Sequence, residues 1–414
     1  MRPARRFPAA SDAEWRDWRW QQRNALTTAE DFARVVDLTP EERRGLAAAA
    51  GRTRVAVPPY YAALMDPAHP SCPIRLQSLP SAAEAERAPG DLADPLGEDA
   101  HRPVPAIVHR YRDRALLLAI ERCSLYCRHC TRRRLTLAES DDIEDVGRAA
   151  LAQAIEYVRA HPEIRDVIVS GGEPLLLSNE RLDRLLSGLR AVPHVQILRL
   201  ATRAPVVCPM RIDAELAAML RRHAPLFVVT HFNHPVECTE EAREACGTLV
   251  DHGVPVENQT VLLRGVNSSA RILKDLFERL LTFRVRPYYL HQGDLAEGTA
   301  HLRTPLDAGI AILEELRGRT SGLAIPHLAV DLPGGGGKVT LGPSYLLGRG
   351  DVAGAPGTWL RSFRGERYFY PEPPDRDCAC PYEAVYYGAP GASPRRASGG
   401  AAPEAGEASE GGRG

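Results

Sequence analysis

Seven short apolar runs, separated by amphipathic segments of helical length, fill residues 115 to 332 and constrain the fold more than any other feature. The runs read "ALLLAIE", "RDVIVSG", "VQILRLAT", "LFVVTHF", "VPVENQTVLL", "VRPYYLHQ" and "GLAIPHLAVDL". Between them lie "DVGRAALAQAIEYVRAH", "NERLDRLLSGLRAV", "DAELAAMLRRHA", "AREACGTLVDHG", "ILKDLFERLLTF" and "DAGIAILEELRG". Short apolar stretches suit buried strands, and apolar residues recurring every three to four positions suit helices with one buried stripe. A strand and helix repeated about six times implies parallel strands with helical crossovers, since a tight turn cannot join parallel neighbours. The expected class is α/β, as an open doubly wound sheet or as a barrel. No G-x-G-x-x-G turn follows the first run, which favours a partial or full (β/α) barrel.

Both architectures collect functional residues at the carboxyl ends of strands. The unusual residues obey this: Cys123 follows the first run, Gly171, Gly172 and Glu173 the second, and His231 the fourth. Asn258 and Gln259 lie on the fifth run, and Asp294 follows the sixth.

Residues 1–108 read as a mainly helical extension, with Thr39 as an N-cap and Pro40 at the first helical position. The barrel with its site is expected over 109–345 and a short extension over 346–387. Residues 388–414, rich in Gly, Ala, Pro and Ser, are expected to be disordered. A formal charge of −1 leaves no electrostatic footprint for nucleic acid or an anionic membrane at the level of the whole chain. Small substrates are the better expectation. No secretory signal and no apolar stretch of about 18 residues is seen, so a cytoplasmic protein is expected. Nine cysteines are too sparse and too odd in number for a disulfide scaffold, so a local cluster reads as metal-binding or catalytic.

Such a cluster is "CSLYCRHC", with Cys123, Cys127 and Cys130 in C-x3-C-x2-C spacing. Structural zinc takes four ligands, and His129 is too close to Cys130 to complete the shell without strain. A four-iron cluster held by three thiolates would leave one iron open to a small molecule. Loop cysteines holding zinc, or nothing, remain the alternative on spacing alone. A second motif, "PGGGGKV", exposes Lys338 after four glycines; Val339 stands where the Walker pattern needs Ser or Thr, which argues against a phosphate loop. The remaining readings are a lysine that condenses with an aldehyde, as with pyridoxal phosphate, or a solvated loop.

With "GGEP" at 171–174 after the second strand, the cysteine motif resembles the radical S-adenosylmethionine superfamily. "CSLYCRHCTRRR", "THFNHP", "RVRPYY", "GDLAEGTAHLRTP", "LRGRTSG" and "PGGGGK" together resemble the lysine 2,3-aminomutase family, in order, from about residue 12 to 385. The resemblance implies a partial barrel of six βα units with N- and C-terminal extensions. It implies an isomerase that moves an amino group between C2 and C3, interconverting L-α-lysine and L-β-lysine by radical chemistry. The implied cofactors are a 4Fe-4S cluster, S-adenosylmethionine and pyridoxal 5'-phosphate.

Carried over residue by residue, the resemblance gives Cys123, Cys127 and Cys130 to the cluster and Lys338 to covalent attachment of pyridoxal phosphate. Arg110, Tyr111, Arg114, Asn258 and Gln259 fall in the pyridoxal phosphate region, and Gly171, Gly172, Glu173 and His231 in the S-adenosylmethionine region. Arg132 matches the arginine that pairs with the substrate carboxylate, while Asp294 and Asp331 match the pair that grips a cationic side chain. Two carboxylates would repel a third, so glutamate is disfavoured and arginine remains the alternative substrate. The family's zinc site is degenerate here: Cys378 and Cys380 remain, Glu383 takes the third position and Ser269 stands for the loop cysteine. Loss or weakening of zinc binding is expected, although carboxylate is an allowed ligand. An electron donor such as flavodoxin or ferredoxin and a homo-oligomer are expected, without nucleic acid or membrane partners. A polar pyridoxal phosphate racemase or a zinc-binding module are the competing classes.

Overall fold

The structure, a computed structural model, describes residue 7, residues 10–136 and residues 146–373. The chain divides into two compact units, Met1–Pro343 and Ser344–Gly414.

In the first unit nine strands follow one another across a single sheet in sequence order. They are β1 (Ile107–Tyr111), β2 (Arg114–Ile120), β3 (Asp166–Gly171), β4 (Ile197–Ala201), β5 (Leu226–Thr230), β6 (Val256–Leu262), β7 (Val285–Gln292), β8 (His327–Leu332) and β9 (Gly337–Leu341). β2 to β8 are parallel, which realises the seven apolar runs as the core of an α/β barrel. Helices at Arg148–Ala160, Asn179–Arg190, Ala214–Arg221, Glu240–Asp251, Ala270–Thr282 and Leu306–Leu316 connect them. The sequence explains these helices locally. In Ala270–Thr282, Leu273, Leu276, Phe277 and Leu280 recur at one-turn spacing and are buried. Ser178, Asp213 and Thr239 each cap a helix start by accepting a backbone N–H.

β1 and β9 flank the parallel strands and pair antiparallel with β2 and β8. Neither was evident from the sequence: β9 is "GKVTL", which reads as the tail of a glycine loop. The two ends of the sheet approach each other through side chains. Arg110 of β1 donates to Asp331 of β8 at 3.0 Å, and the Lys338 backbone N–H of β9 donates to the Tyr111 hydroxyl at 2.8 Å. The sheet is thus a nearly closed barrel, fastened by polar side chains where a backbone ladder is missing.

The N-terminal segment belongs to this unit. Its helix Pro40–Ala49 begins as the sequence suggests, with Thr39 accepting from the Glu42 N–H at 3.2 Å. Phe32, Tyr61 and Ile74 share one apolar core with Val167 and Leu198 of the barrel. The second unit contains an antiparallel meander of β10 (Leu346–Val352), β11 (Ala355–Arg361) and β12 (Arg367–Pro371). Its strands carry glycines and exposed apolar residues such as Leu346 and Tyr370, a pattern without the alternation that marks a half-buried strand.

Candidate active site

The barrel encloses a cavity of about 520 Å³, which is ordinary for a small-molecule site. Its lining runs from Arg110 on β1 to Lys338 on β9 and includes the cysteine loop.

Cys123, Cys127 and Cys130 all face this cavity. Burial first, and then the neighbouring thiols, push Cys123 well above the ordinary thiol range, and burial also raises Cys130. Among the described residues no three His, Cys, Asp or Glu side chains converge as ligands of a single ion would. The loop is held from behind by the N-terminal segment. Arg128, wholly buried, donates from Nε to Glu84 at 2.8 Å, and its backbone N–H donates to the Gln77 carbonyl at 2.9 Å. Glu84 also receives Arg133 at 2.6 Å. Arg134 pairs with Asp99 at 2.9 Å, so Arg133 and Arg134 anchor the loop and its exit.

The two glycines at the end of β3 are required by backbone crowding. Gly171 has φ +120°, and a Cβ there would lie 2.2 Å from the Ile120 carbonyl oxygen; at Gly172 the Arg122 carbonyl oxygen would be 2.1 Å away. The Gly172 and Glu173 N–H groups donate to those same carbonyls, at 2.5 and 2.7 Å. Glu173 lines the cavity, yet its carboxylate accepts from the Thr202 hydroxyl at 2.5 Å, the Leu175 N–H at 3.0 Å and the Arg203 N–H at 2.9 Å. These bonds commit it to tying strand ends together. Gly172→Ala is expected to destabilise the protein by roughly 1–3 kcal/mol, the usual range for overpacking, and chemical denaturation measures this.

Lys338 and Asp331 are direct cross-strand partners in the β8–β9 hairpin. Gly334, Gly335 and Gly337 all have positive φ, which explains the glycine run as turn chemistry that sets this register. Lys338 Nζ donates to Asp331 at 2.6 Å and lies 3.3 Å from His291 Nδ1. Burial would raise Asp331, but the Lys338 ammonium and the hydrogen bond from Arg110 outweigh it and hold the carboxyl below its ordinary value. Burial and then the Lys338 charge press His291 down to about 3, so its imidazole is neutral. Arg114 also lines the cavity, stacked 4.4 Å from the Tyr111 ring centroid. Among the described residues its buried Nε has no hydrogen-bond partner, and the nearest Asp113 oxygen, an ion-pair contact, is 3.6 Å away.

Asp294 faces the same cavity and makes no ion pair among the described residues. Burial first, and then the charge of Asp331, push it up to about 6. Because this exceeds the unfolded value, the folded state is penalised progressively as pH rises from about 4 to 6, and fully above that. At about 1.4 kcal/mol per unit the penalty is up to ~3 kcal/mol. Asp294→Asn is therefore expected to be more stable than the parent at pH 8 by up to that amount, with the gain vanishing near pH 4. Denaturant titrations at the two pH values check this.

Arg132 lines the cavity with its Nε donating to both Glu98 oxygens, at 2.8 and 3.1 Å. His231 faces the cavity, lowered to about 4 by burial and then by the Arg203 charge. Gln259 faces it too, but Asn258 does not. Successive residues of β6 point to opposite sides, and Asn258 bonds to the Phe232 N–H at 2.6 Å and the Thr260 hydroxyl at 2.8 Å. Asn258 is thus a strand pin, removed from the cavity residues expected from the sequence. Cys378, Cys380 and Glu383 lie outside the described residues.

Sequence reasoning overlooked Arg203, Glu237, Tyr61, Gln77 and His291. Arg203 donates to Cys127 Sγ at 2.8 Å and to Glu237 at 2.8 Å, with Gln77 and Tyr61 completing the group. The one local signal was an arginine directly after the apolar run "VQILRLAT", at a strand end where functional residues collect.

Two family models match: the radical SAM superfamily over residues 117–276 and lysine-2,3-aminomutase over residues 313–393. The chain is 48% identical to an L-lysine 2,3-aminomutase of Clostridium subterminale, over 89% of this chain and 86% of that one. It is 46% identical to an L-lysine 2,3-aminomutase of Bacillus subtilis, over 87% of this chain and 75% of the relative. A glutamate 2,3-aminomutase of Clostridioides difficile is 41% identical, over 82% and 80%.

Proposed function

The chain belongs to the lysine 2,3-aminomutase family, and from that premise we propose that it interconverts L-α-lysine and L-β-lysine with pyridoxal phosphate as a second cofactor. Membership of the radical SAM superfamily implies a 4Fe-4S cluster and S-adenosylmethionine. The donor sets suit these groups. Three thiols facing one cavity match a cluster with an open iron, and the buried Nε of Arg114, without a hydrogen bond among the described residues, offers a donor to a phosphate. When bound, the cluster and S-adenosylmethionine supply the radical that takes hydrogen from the substrate, and pyridoxal phosphate delocalises the unpaired electron.

In this reading Cys123, Cys127 and Cys130 hold the cluster, and Gly171, Gly172 and His231 border the S-adenosylmethionine site. Lys338 anchors pyridoxal phosphate, with Arg110, Tyr111, Arg114 and Gln259 around it. Arg132 orients the substrate carboxylate, its own direction fixed by Glu98. Neutral His291, 3.3 Å from Lys338 Nζ, can accept a hydrogen bond from that amine and so help to orient it.

The observation that carries the substrate assignment is Asp294, a buried carboxylate that makes no ion pair among the described residues. It is raised by burial and then by the charge of Asp331, which acts on it more strongly than either Lys338 or Arg132 does in the opposite direction. A substrate ammonium relieves both the burial and the repulsion, whereas a glutamate side chain adds a third negative charge. Arginine is the second reading, because a guanidinium also suits paired carboxylates. The test is an anaerobic assay of reconstituted protein with S-adenosylmethionine, pyridoxal phosphate and dithionite on L-lysine, L-arginine and L-glutamate. Fast β-lysine formation supports the proposal; β-glutamate as the main product, or no reaction with either cation, refutes it. A low-potential flavodoxin or ferredoxin, a cytoplasmic location and a homo-oligomeric state accompany the proposal. Among the described residues no helix is long and apolar enough to cross a membrane.

A further inference from the structure

Arg203 follows β4 and is buried, with 8% of its surface exposed. Every nitrogen of its guanidinium is engaged. Nη1 donates to Cys127 Sγ at 2.8 Å, and Nε donates to the His231 carbonyl at 3.1 Å. Nη2 is shared among Gln77 Oε1 at 2.7 Å, Glu237 Oε1 at 2.8 Å and the Tyr61 hydroxyl at 3.1 Å. Glu237, fully buried, is itself fixed by the Asn233 and His234 N–H groups at 2.5 and 2.9 Å. Groups from the N-terminal helices, from the β4 end and from the β5 loop thus clamp one cation against one sulfur.

Burying a charged pair is costly, and an apolar substitute of the same shape is often as stable. The charge is held against the Cys127 sulfur, where it has a direct electrostatic effect. We infer that Arg203 raises the reduction potential of the iron–sulfur cluster by holding a charge-assisted hydrogen bond on the Cys127 thiolate. The inference rests on the reading of Cys127 as a cluster ligand.

The step is a one-electron transfer from an external low-potential donor, taking the cluster from its 2+ to its 1+ state, with no bond made or broken and no proton moved. The added electron increases negative charge on the thiolates. A fixed donor and a positive charge stabilise the reduced state more than the oxidised one, and hydrogen bonds to the sulfurs are among the factors that set such potentials. Arg203 is a positioning residue, since it touches a ligand of the cluster rather than the substrate. Tyr61, Gln77 and Glu237 keep it from turning away.

The test is a dithionite titration of the anaerobically reconstituted full chain without S-adenosylmethionine, followed by electron paramagnetic resonance, with iron measured in parallel. Arg203→Met is expected to shift the cluster about tenfold toward the oxidised state at a given potential, about 59 mV for one electron. Arg203→Lys, which keeps the charge but loses the fork, is expected to shift it in the same direction by less. Tyr61→Phe should give a smaller shift of the same sign. An unchanged midpoint in an iron-replete Arg203→Met protein overturns the inference; if that variant does not fold, an unchanged midpoint in Arg203→Lys does so. A purely structural role would lower iron content or thermal stability and leave the midpoint where it was. Cys127→Ala separates the two levels: if it keeps its full iron, the ligand reading itself fails.

Discussion

Lys338→Ala is expected to lower turnover by at least about 10³-fold, some 4 kcal/mol of transition-state stabilisation. The reason is specific to the site. Among the described residues Lys338 is the one lysine amine facing the cavity, held by Asp331 at 2.6 Å and flanked by neutral His291. Alanine removes the attachment point and leaves the cysteine loop untouched. Iron content and S-adenosylmethionine binding should therefore match the parent, while pyridoxal phosphate is no longer fixed by borohydride. Turnover within tenfold of the parent would refute the role given to this lysine.

The second large effect is expected at Asp294. Asp294→Asn should reduce kcat/KM for lysine by roughly 10² to 10³-fold, since truncating one member of a desolvated charge pair costs 2–5 kcal/mol. Most of the change should fall on KM, because the contact with the substrate ammonium exists before and during reaction. The same substitution that weakens turnover should make the empty protein more stable at pH 8. Opposite signs in the two measurements separate a binding residue from a structural one. In the parent, kcat/KM should fall below pH 6, where Asp294 takes up a proton. An acid limb unchanged in Asp294→Asn would assign that titration elsewhere.

The parts of this fold that were legible in the sequence are those in which local pattern and global position agree. Along β3 and β4 every second residue, Val167, Val169, Leu198 and Leu200, is fully buried and several of the residues beside them are apolar and half-buried, so both strands read as apolar runs. The cysteine loop declares itself by spacing, and Lys338 by the glycines that turn the β8–β9 hairpin. β1 and β9 were not legible because each is five residues long and rich in groups that serve the site. Asn258 was misplaced because proximity in sequence to Gln259 hides the alternation that turns one inward and the other outward. Arg203 and Glu237 escaped because their meaning depends on Tyr61 and Gln77, more than a hundred residues earlier in the chain. A buried polar network is written in tertiary contacts and leaves little local trace.

The N-terminal segment supplies Glu84 to Arg128 and Arg133, and Gln77 and Tyr61 to Arg203. An excised barrel beginning at residue 107 would keep the cysteines, both aspartates and Lys338, yet would strand Arg128 and Arg133 without Glu84, at a typical 3–5 kcal/mol for a broken buried pair, and would leave Arg203 with Glu237 but without Gln77 and Tyr61. For anyone transplanting this chemistry to another scaffold, the portable unit is therefore the barrel together with the first hundred residues. The apparent preamble is part of the wiring.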